Sequence, residues 1–246
     1  MNTVHTEQLK NDIAVIETAL RDYLPYEEDI MRQKKVIDAM RYSLEAGGKR
    51  IRPVLVLEFC RMCGGNTDAA LSPAAALEMI HTYSLIHDDL PAMDNDMYRR
   101  GNLTTHAKYG EAFGILAGDG LLNYAFELIA EGMLQEDTAA LAKDVRAFCV
   151  LADKAGYRGM VGGQSLDVFL DQTKDADTKQ EQLEYIYRTK TSALLEASFM
   201  IGAILAGASE QEISILEEVA GKTGFAFQIQ DDILDLTGDE EVIGKP

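Results

Sequence analysis

Apolar residues recur at helical spacing along almost the whole chain, and no other feature of the sequence limits the fold as strongly. Alternating, strand-like patterns are scarce. The five prolines, at positions 25, 53, 73, 91 and 246, all lie near predicted helix ends or in turns. We therefore predict an all-α protein. No linker, low-complexity tract or fixed-period repeat divides the sequence, so a single domain is expected over residues 1–246.

Capping signals place two of the predicted helix starts. Ser72 and Pro73 are typical of an N-cap followed by the first helical residue, and this helix is predicted to run to about Asp89. Ser209 and Glu212 form a capping-box pattern that opens another helix. Further helices are predicted from Thr6 to Tyr23, Glu27 to Ala46, Pro53 to Cys63, Thr105 to Glu131, Asp137 to Ala155 and Lys179 to Ala206.

Composition excludes several classes of protein. The chain of 246 residues carries 41 acidic against 23 basic residues, which argues against nucleic acid as a partner. The longest charge-free stretch, Ala197 to Ser209, is shorter than a membrane-spanning helix, and the N-terminus lacks a signal-peptide pattern. We expect a cytoplasmic protein without stable membrane insertion. Cys60 and Cys63 are predicted to be reduced core thiols, because no partner pair completes a zinc site.

The segment LIHDDLPAMDNDMYRRG places Asp88, Asp89, Asp94 and Asp96 close together at the end of an apolar run. On a regular helix Asp94 would lie about 240° around the axis from Asp88. Pro91 makes that course unfavourable, because proline disfavours helix at the preceding residue and removes a backbone donor. The helix is therefore predicted to end near Pro91, which lets Asp94 fold back towards Asp88.

A second acidic cluster, in QIQDDILDL, contains Asp231, Asp232 and Asp235, with Asp231 and Asp235 one helical turn apart. Aspartate pairs on an acidic protein are commonly solvated helix faces, and that reading stays open for either cluster alone. Both clusters follow apolar sequence, however, and like charges on one face destabilise a helix unless a cation neutralises them. Carboxylate oxygens suit Mg²⁺, so two facing clusters would hold Mg²⁺ ions that chelate a diphosphate.

Basic residues are few and lie where an anion would need them. GGKRIRP places Lys49, Arg50 and Arg52 at the start of a predicted helix, where free backbone N–H groups favour anions. Arginine suits bidentate phosphate contacts, and Lys190 beside Thr191 offers a charge and a hydroxyl. Each could instead form a surface salt bridge, the interpretation we favour for Arg50 and Lys222.

These motifs together resemble the trans-isoprenyl diphosphate synthases of the bacterial farnesyl diphosphate synthase type. The resemblance rests on SLEAGGKRIRP, HTYSLIHDDLPAMDND, RRG, GMVGGQSLDV, KTSALLEAS and FQIQDDILDLTGD, in the family's order and spacing over nearly the whole chain. It implies a helical bundle around a deep central cavity, three Mg²⁺ ions, isoprenyl diphosphate substrates and a homodimer. Family members usually continue beyond GKP, so the resemblance also implies that the family's C-terminal helices are missing from this chain.

The resemblance assigns roles to individual residues. Direct metal ligands are implied at Asp88, Asp94 and Asp231, which with Lys190 make the implied catalytic set, and supporting ligands at Asp89, Asp232 and Asp235. The allylic diphosphate would be held by Arg99, Lys190, Thr191, Gln228 and Lys245. Isopentenyl diphosphate would be held by Lys49, Arg52, His81 and Arg100. A lone histidine on an apolar stripe is also commonly a core residue, so that alternative stays open for His81.

The expected product is farnesyl diphosphate, with a C15 chain. Tyr83 lies five residues before Asp88, about 7.5 Å deeper along the helix, and the resemblance implies that its ring closes the cavity. Helical geometry alone leaves a core tyrosine equally compatible. The alternatives are a geranylgeranyl diphosphate synthase, a non-catalytic partner subunit, a terpene cyclase or a ferritin-like protein. The last would need a second Glu-x-x-His motif beside that of Glu78 and His81.

Overall fold

The computed structural model describes residues 3–24, 32–134, 138–173 and 179–237, without the side chains of 3, 4 and 235–237. The chain there is helical apart from one short hairpin, which confirms the predicted all-α class. The α-helices are α1 (Thr3–Tyr23), α2 (Lys34–Leu44), α3 (Ile51–Met62), α4 (Thr67–Asp88), α5 (Thr105–Tyr109), α6 (Glu111–Met133), α7 (Thr138–Ala155), α8 (Met160–Thr173), α9 (Gln180–Ile186), α10 (Ala193–Ala206) and α11 (Glu210–Thr237). A π-helical segment, Tyr187–Ser192, joins α9 to α10.

Helices α4 and α10 form the centre of the core. Residues 74–80 of α4 are all buried, and most of α10 is buried on every side. A helix that is apolar all round requires neighbours on all sides. Helix α10 packs against α3, α7 and α11, while α4 packs against α3 and α6. This arrangement fixes where the acidic C-terminal end of α4 lies relative to the other helices.

Several helix boundaries differ from the predicted ones. Helix α4 begins at Thr67, capped by Asn66, whose side chain accepts from the Asp68 amide at 3.0 Å, so Pro73 lies inside the helix. The ring of Pro73 is buried, and core packing there outweighs the one missing backbone hydrogen bond. The helix predicted from Thr105 is divided at Gly110, whose φ of 90° cannot continue a helix. Residues 27–31 of the predicted second helix lie outside the described residues.

Other local predictions are confirmed. The capping box at the start of α11 is formed, with the Ser209 amide donating to Glu212 at 2.8 Å and the Glu212 amide to Ser209 Oγ at 3.3 Å. Cys60 is a buried free thiol and Cys63 a partly buried one. Lys222 forms the expected surface ion pair, with Glu218 at 2.6 Å.

A two-stranded antiparallel hairpin follows the first acidic cluster and was not predicted. Its strands, β1 (Tyr98–Arg99) and β2 (Asn102–Leu103), are joined by Arg100 and Gly101 with φ of 53° and 78°. Two successive positive φ values are typical of the tight turn that matches the twist of a hairpin. Because of this turn, the neighbouring residues Arg99 and Arg100 have different partners: Arg99 contacts Asp89, and Arg100 contacts the Gly47 carbonyl.

Among the described helices, α6 has the length and apolar composition of a membrane span. A third of that apolar window is buried within the protein. Core helices of globular domains have the same composition, and α6 packs along α4 as well as against α2, α5 and α7.

Candidate active site

A cavity of about 800 Å³ opens between the C-terminal half of α4 and the helices α3, α6, α8, α10 and α11. Its lining combines charged and polar groups with apolar side chains. The polar part consists of Arg52, His81, Ser84, His87, Asp88, Gln164, Ser165, Lys190, Thr191, Gln228 and Asp231. The apolar part includes Tyr83, Leu85, Leu90, Met93, Ile115, Met160, Val161, Val168, Leu194 and Phe227. The cavity can therefore hold a charged group and a hydrocarbon chain together.

The first acidic cluster folds back as Pro91 predicts. Helix α4 ends at Asp88, and the amide of Asp94 donates to the carbonyl oxygen of Asp88 at 2.9 Å. Asn95 takes a left-handed conformation, φ 56°, which asparagine tolerates well. Burial raises the pKa of Asp88 to about 6. The positive charge of Lys190 lowers this pKa, whereas the Asp94 carboxylate raises it. A nearby cation would stabilise the charged form of a carboxylate in this position.

Asp89 has a different environment from its neighbour. Its side chain is 4% exposed and accepts two contacts from Arg99, from Nε at 2.7 Å and from Nη2 at 2.6 Å. The structure therefore brings Asp88 but not Asp89 into the cavity lining. Arg99, which bonds to Asp89, does not line this cavity either. Adjacent helical residues point about 100° apart around the axis, which accounts for the different surroundings of Asp88 and Asp89.

The second acidic cluster lies on α11. Asp231 lines the cavity, whereas Asp232 accepts from Gln228 Nε2 at 2.9 Å and from the Tyr187 hydroxyl. The hydrogen bond to Asp232 raises the pKa of Tyr187 to about 12. The side chain of Asp235 and the whole of Lys245 lie outside the described residues.

Lys190 and Thr191 lie on the π-helical segment. Such segments are frequent at functional sites because the extra residue redirects side chains. Gly163 of α8 permits the approach, since a Cβ there would overlap the Lys190 amide. Lys190 Nζ pairs with Asp167 at 2.6 Å, and the Thr191 hydroxyl donates to Gln228 Oε1 at 2.6 Å. Both residues also line the cavity.

Cationic and imidazole groups gather where α3 and α4 meet. Arg52 Nη1 lies 3.4 Å from His81 Nε2, and Arg52 Nε is buried without a hydrogen-bond partner. Burial lowers the pKa of His81 well below its ordinary value, and the guanidinium groups of Arg52 and Arg100 add to the effect. The imidazole is therefore neutral at neutral pH. A buried guanidinium donor beside it suits an anion such as phosphate.

The two other predicted isopentenyl diphosphate ligands lie near this group. Arg100 donates to the Gly47 carbonyl and lies against Gly48, where a Cβ would be 2.5 Å from Nη1. Lys49 is exposed on the same loop and is not among the residues that line the cavity.

Arg50 differs from its predicted role as a surface salt bridge. Its side chain is 1% exposed and bonds to Glu17 and Glu78, each at 2.8 Å, and to the Leu44 carbonyl at 2.6 Å. Its backbone is left-handed, with φ of 47°. Because these partners belong to α1, α4 and the end of α2, Arg50 ties the loop before α3 to the core. Sequence periodicity could not show this, since the three partners come from separate helices.

The carboxylates that line the cavity suit magnesium. No three described His, Cys, Asp or Glu side chains converge into a ready-made metal cluster. Mg²⁺ is usually held by one or two carboxylates, with phosphate and water completing its shell. Asp88 and Asp231, lining one cavity beside cationic groups, fit that arrangement.

Three residues that contact the predicted site residues were not identified from the sequence. Gln164 donates to Asp88, Asp167 pairs with Lys190, and Tyr187 holds Asp232. Gln164 and Asp167 lie on α8, a helix that was not predicted because glycines interrupt its apolar pattern. The motif GMVGGQSLDV contains both residues and was the available signal.

Comparison with known proteins decides the family. The sequence profile of the polyprenyl synthetase family, described as "Polyprenyl synthetase", matches residues 33–246. The chain belongs to this family. It is 47% identical over 247 residues to the farnesyl diphosphate synthase of Geobacillus stearothermophilus, a match that covers 100% of this chain and 80% of that protein. It is 50% identical over 210 residues to the geranylgeranyl diphosphate synthase of Cyanophora paradoxa, covering 85% of this chain and 68% of the relative.

Solved structures show the same fold. An FPP/GFPP synthase from Zymomonas mobilis superposes with a TM-score of 0.89 at 34% identity, covering 96% of this chain and 83% of that one. A geranyltransferase from Helicobacter pylori, complexed with magnesium and isoprenyl diphosphate, superposes with a TM-score of 0.82 at 33% identity, covering 96% and 77%. The chain therefore has the all-α fold of the isoprenoid synthases.

Proposed function

We propose that this chain is a prenyltransferase that condenses isopentenyl diphosphate with dimethylallyl or geranyl diphosphate. One observation carries the proposal: Asp88 and Asp231, from two distant acidic clusters, line the same cavity as Arg52, Lys190 and a long apolar wall. A hydrocarbon with a diphosphate head matches that division of polar and apolar lining. The family membership and the activities named for the relatives support the same conclusion.

Two diphosphates are proposed to bind on opposite sides of the cavity. The allylic diphosphate is held by Lys190, Thr191 and Gln228, with Arg99 and Lys245 contributing. Isopentenyl diphosphate is held by Arg52 and neutral His81, with Lys49 and Arg100. Asp88, Asp94 and Asp231 would hold three Mg²⁺ ions, which would supply the charge that stabilises a departing diphosphate.

The reaction needs positioning and charge rather than a protein nucleophile. The allylic C–O bond breaks, and the resulting carbocation is attacked by the double bond of isopentenyl diphosphate. A proton then leaves to restore a double bond, and the released diphosphate accepts it. Lys190 stabilises the leaving diphosphate, while the apolar lining excludes water that would quench the cation.

Farnesyl diphosphate is the proposed product. Tyr83 is 6% exposed, lines the cavity, and has its pKa raised to about 12 by burial, so its ring is an uncharged wall. We propose that this ring limits the product to C15. Geranylgeranyl diphosphate is the second candidate, because relatives of comparable identity carry that name.

A homodimer is proposed from the surface of α6. Leu116 is 50% exposed, on a helix whose apolar window is only a third buried. An exposed apolar helix face of this kind suits a second copy of the chain. Sedimentation equilibrium should give twice the chain mass of 27.1 kDa. A single-chain mass at micromolar concentration would contradict the dimer.

The activity is tested by mixing the protein with isopentenyl diphosphate, geranyl diphosphate and Mg²⁺ and following diphosphate release and prenyl products. Asp231→Ala should lower turnover about 10³-fold or more, because a lost metal ligand costs several kcal/mol of transition-state stabilisation. Asp153→Ala is the matched control, since that carboxylate is exposed on α7 away from the cavity lining. A wild-type protein without activity would favour a non-catalytic partner subunit.

A further inference from the structure

We infer that His87 and Gly118 form a second determinant of product length, acting beside Tyr83 on the wall between α4 and α6. The inference rests on the proposed function, because it concerns how far the prenyl chain can grow. The reaction itself does not use the contact concerned, in which the His87 imidazole ring lies in a slot on the neighbouring helix α6.

His87 lies one helical turn after Tyr83 and lines the same cavity. The two rings meet edge to face, with centroids 5.7 Å apart and planes at 79°. His87 Nε2 donates to the Ile115 carbonyl of α6 at 3.1 Å, which fixes the tautomer because a carbonyl can only accept. Ile115 also lines the cavity. The imidazole therefore connects the Tyr83 ring to α6.

Gly118 provides the slot for this ring. A Cβ built at position 118 would overlap Nε2 of His87 and lie 2.9 Å from Cε1. Glycine is unfavourable in the interior of a helix, so Gly118 within α6 leaves room for the imidazole. Without that room the ring would have to move away from α6 and towards the cavity.

Opposite changes in product length follow from this geometry. Removing the His87 ring widens the cavity and removes the edge-to-face contact with Tyr83, so the prenyl chain can grow further. Filling the slot pushes the ring into the space of the growing chain, so growth stops earlier. Filling the slot in the absence of the ring should do nothing more, because there is no ring to displace.

The experiment compares His87→Ala, Gly118→Ala and the double variant, with isopentenyl diphosphate in excess. His87→Ala should raise the C20:C15 product ratio about tenfold, the scale on which a cavity wall discriminates chain lengths. Gly118→Ala should accumulate the C10 product and lower the melting temperature by roughly 5 °C. The double variant should resemble His87→Ala in both product ratio and melting temperature.

Gly120→Ala is the matched control on the same helix. Its Cβ would meet the flexible end of Met40, with Sδ at 2.8 Å, rather than His87, so its product ratio should be that of the wild type. Wild-type products from His87→Ala or Gly118→Ala, or a double variant as destabilised as Gly118→Ala, would overturn the inference. A wild-type protein that makes no prenyl product would overturn the proposed function, whereas the melting temperatures test the slot independently of activity.

Discussion

The buried ion cluster of Arg50 gives the sharpest prediction about stability. Arg50 and Glu78 are 1% and 3% exposed in their side chains and lie 2.8 Å apart. Glu78→Gln keeps the size of the side chain but leaves the buried guanidinium with one carboxylate partner, Glu17, which is 29% exposed. Removing one partner of a buried pair costs about 3 to 5 kcal/mol, because the other charge stays desolvated.

The expected change in melting temperature follows from chain length. At about 2.1 cal/mol/K per residue, the unfolding entropy of a chain this long is roughly 0.5 kcal/mol/K, so a loss of about 3 kcal/mol lowers the melting temperature by roughly 6 °C. The assay is thermal unfolding followed by circular dichroism. The double variant Arg50→Met with Glu78→Met should recover more than half of the loss, because it removes both buried charges.

The exposed pair of Glu218 and Lys222, 68% and 75% exposed, supplies the control. Glu218→Gln should change the melting temperature by less than about 2 °C, since a surface pair contributes at most about 1 kcal/mol. A Glu78→Gln variant that melts as close to the wild type as Glu218→Gln does would contradict the cost assigned to the buried pair.

Three further predictions concern the cavity. Arg52→Ala and His81→Ala should each raise KM for isopentenyl diphosphate about tenfold or more, with a smaller effect for geranyl diphosphate; steady-state kinetics showing equal rises would contradict separate sites. Tyr83→Ala should shift products towards C20, measured by chromatography, and an unchanged C15 product would remove Tyr83 as the limit. Because burial raises the pKa of Asp88 from 3.8 to about 6, the folded state binds the proton more tightly. The metal-free protein should lose stability as pH rises from about 4 to 6, by less than about 3 kcal/mol after solvent screening. Asp88→Asn should flatten this dependence in thermal melts, and an equally steep profile would contradict it.

Local sequence determined much of the fold and the outline of the site. Helical periodicity predicted the all-α class, and the capping box of Ser209 and Glu212 formed as expected. The return of Asp94 to Asp88 followed from Pro91. These features depend on backbone preferences within a few residues, which is the range over which a sequence pattern carries information.

Tertiary packing alone decided how neighbouring side chains divide their roles. Asp88 and Asp89 look equivalent in the sequence, yet one lines the cavity and the other is locked to Arg99. Arg50 looks like a surface cation, yet partners from three other parts of the chain bury it. These outcomes depend on which helices pack together. A pattern that repeats every 3.6 residues gives the apolar face of a helix, but it does not identify the side chains that the face will meet.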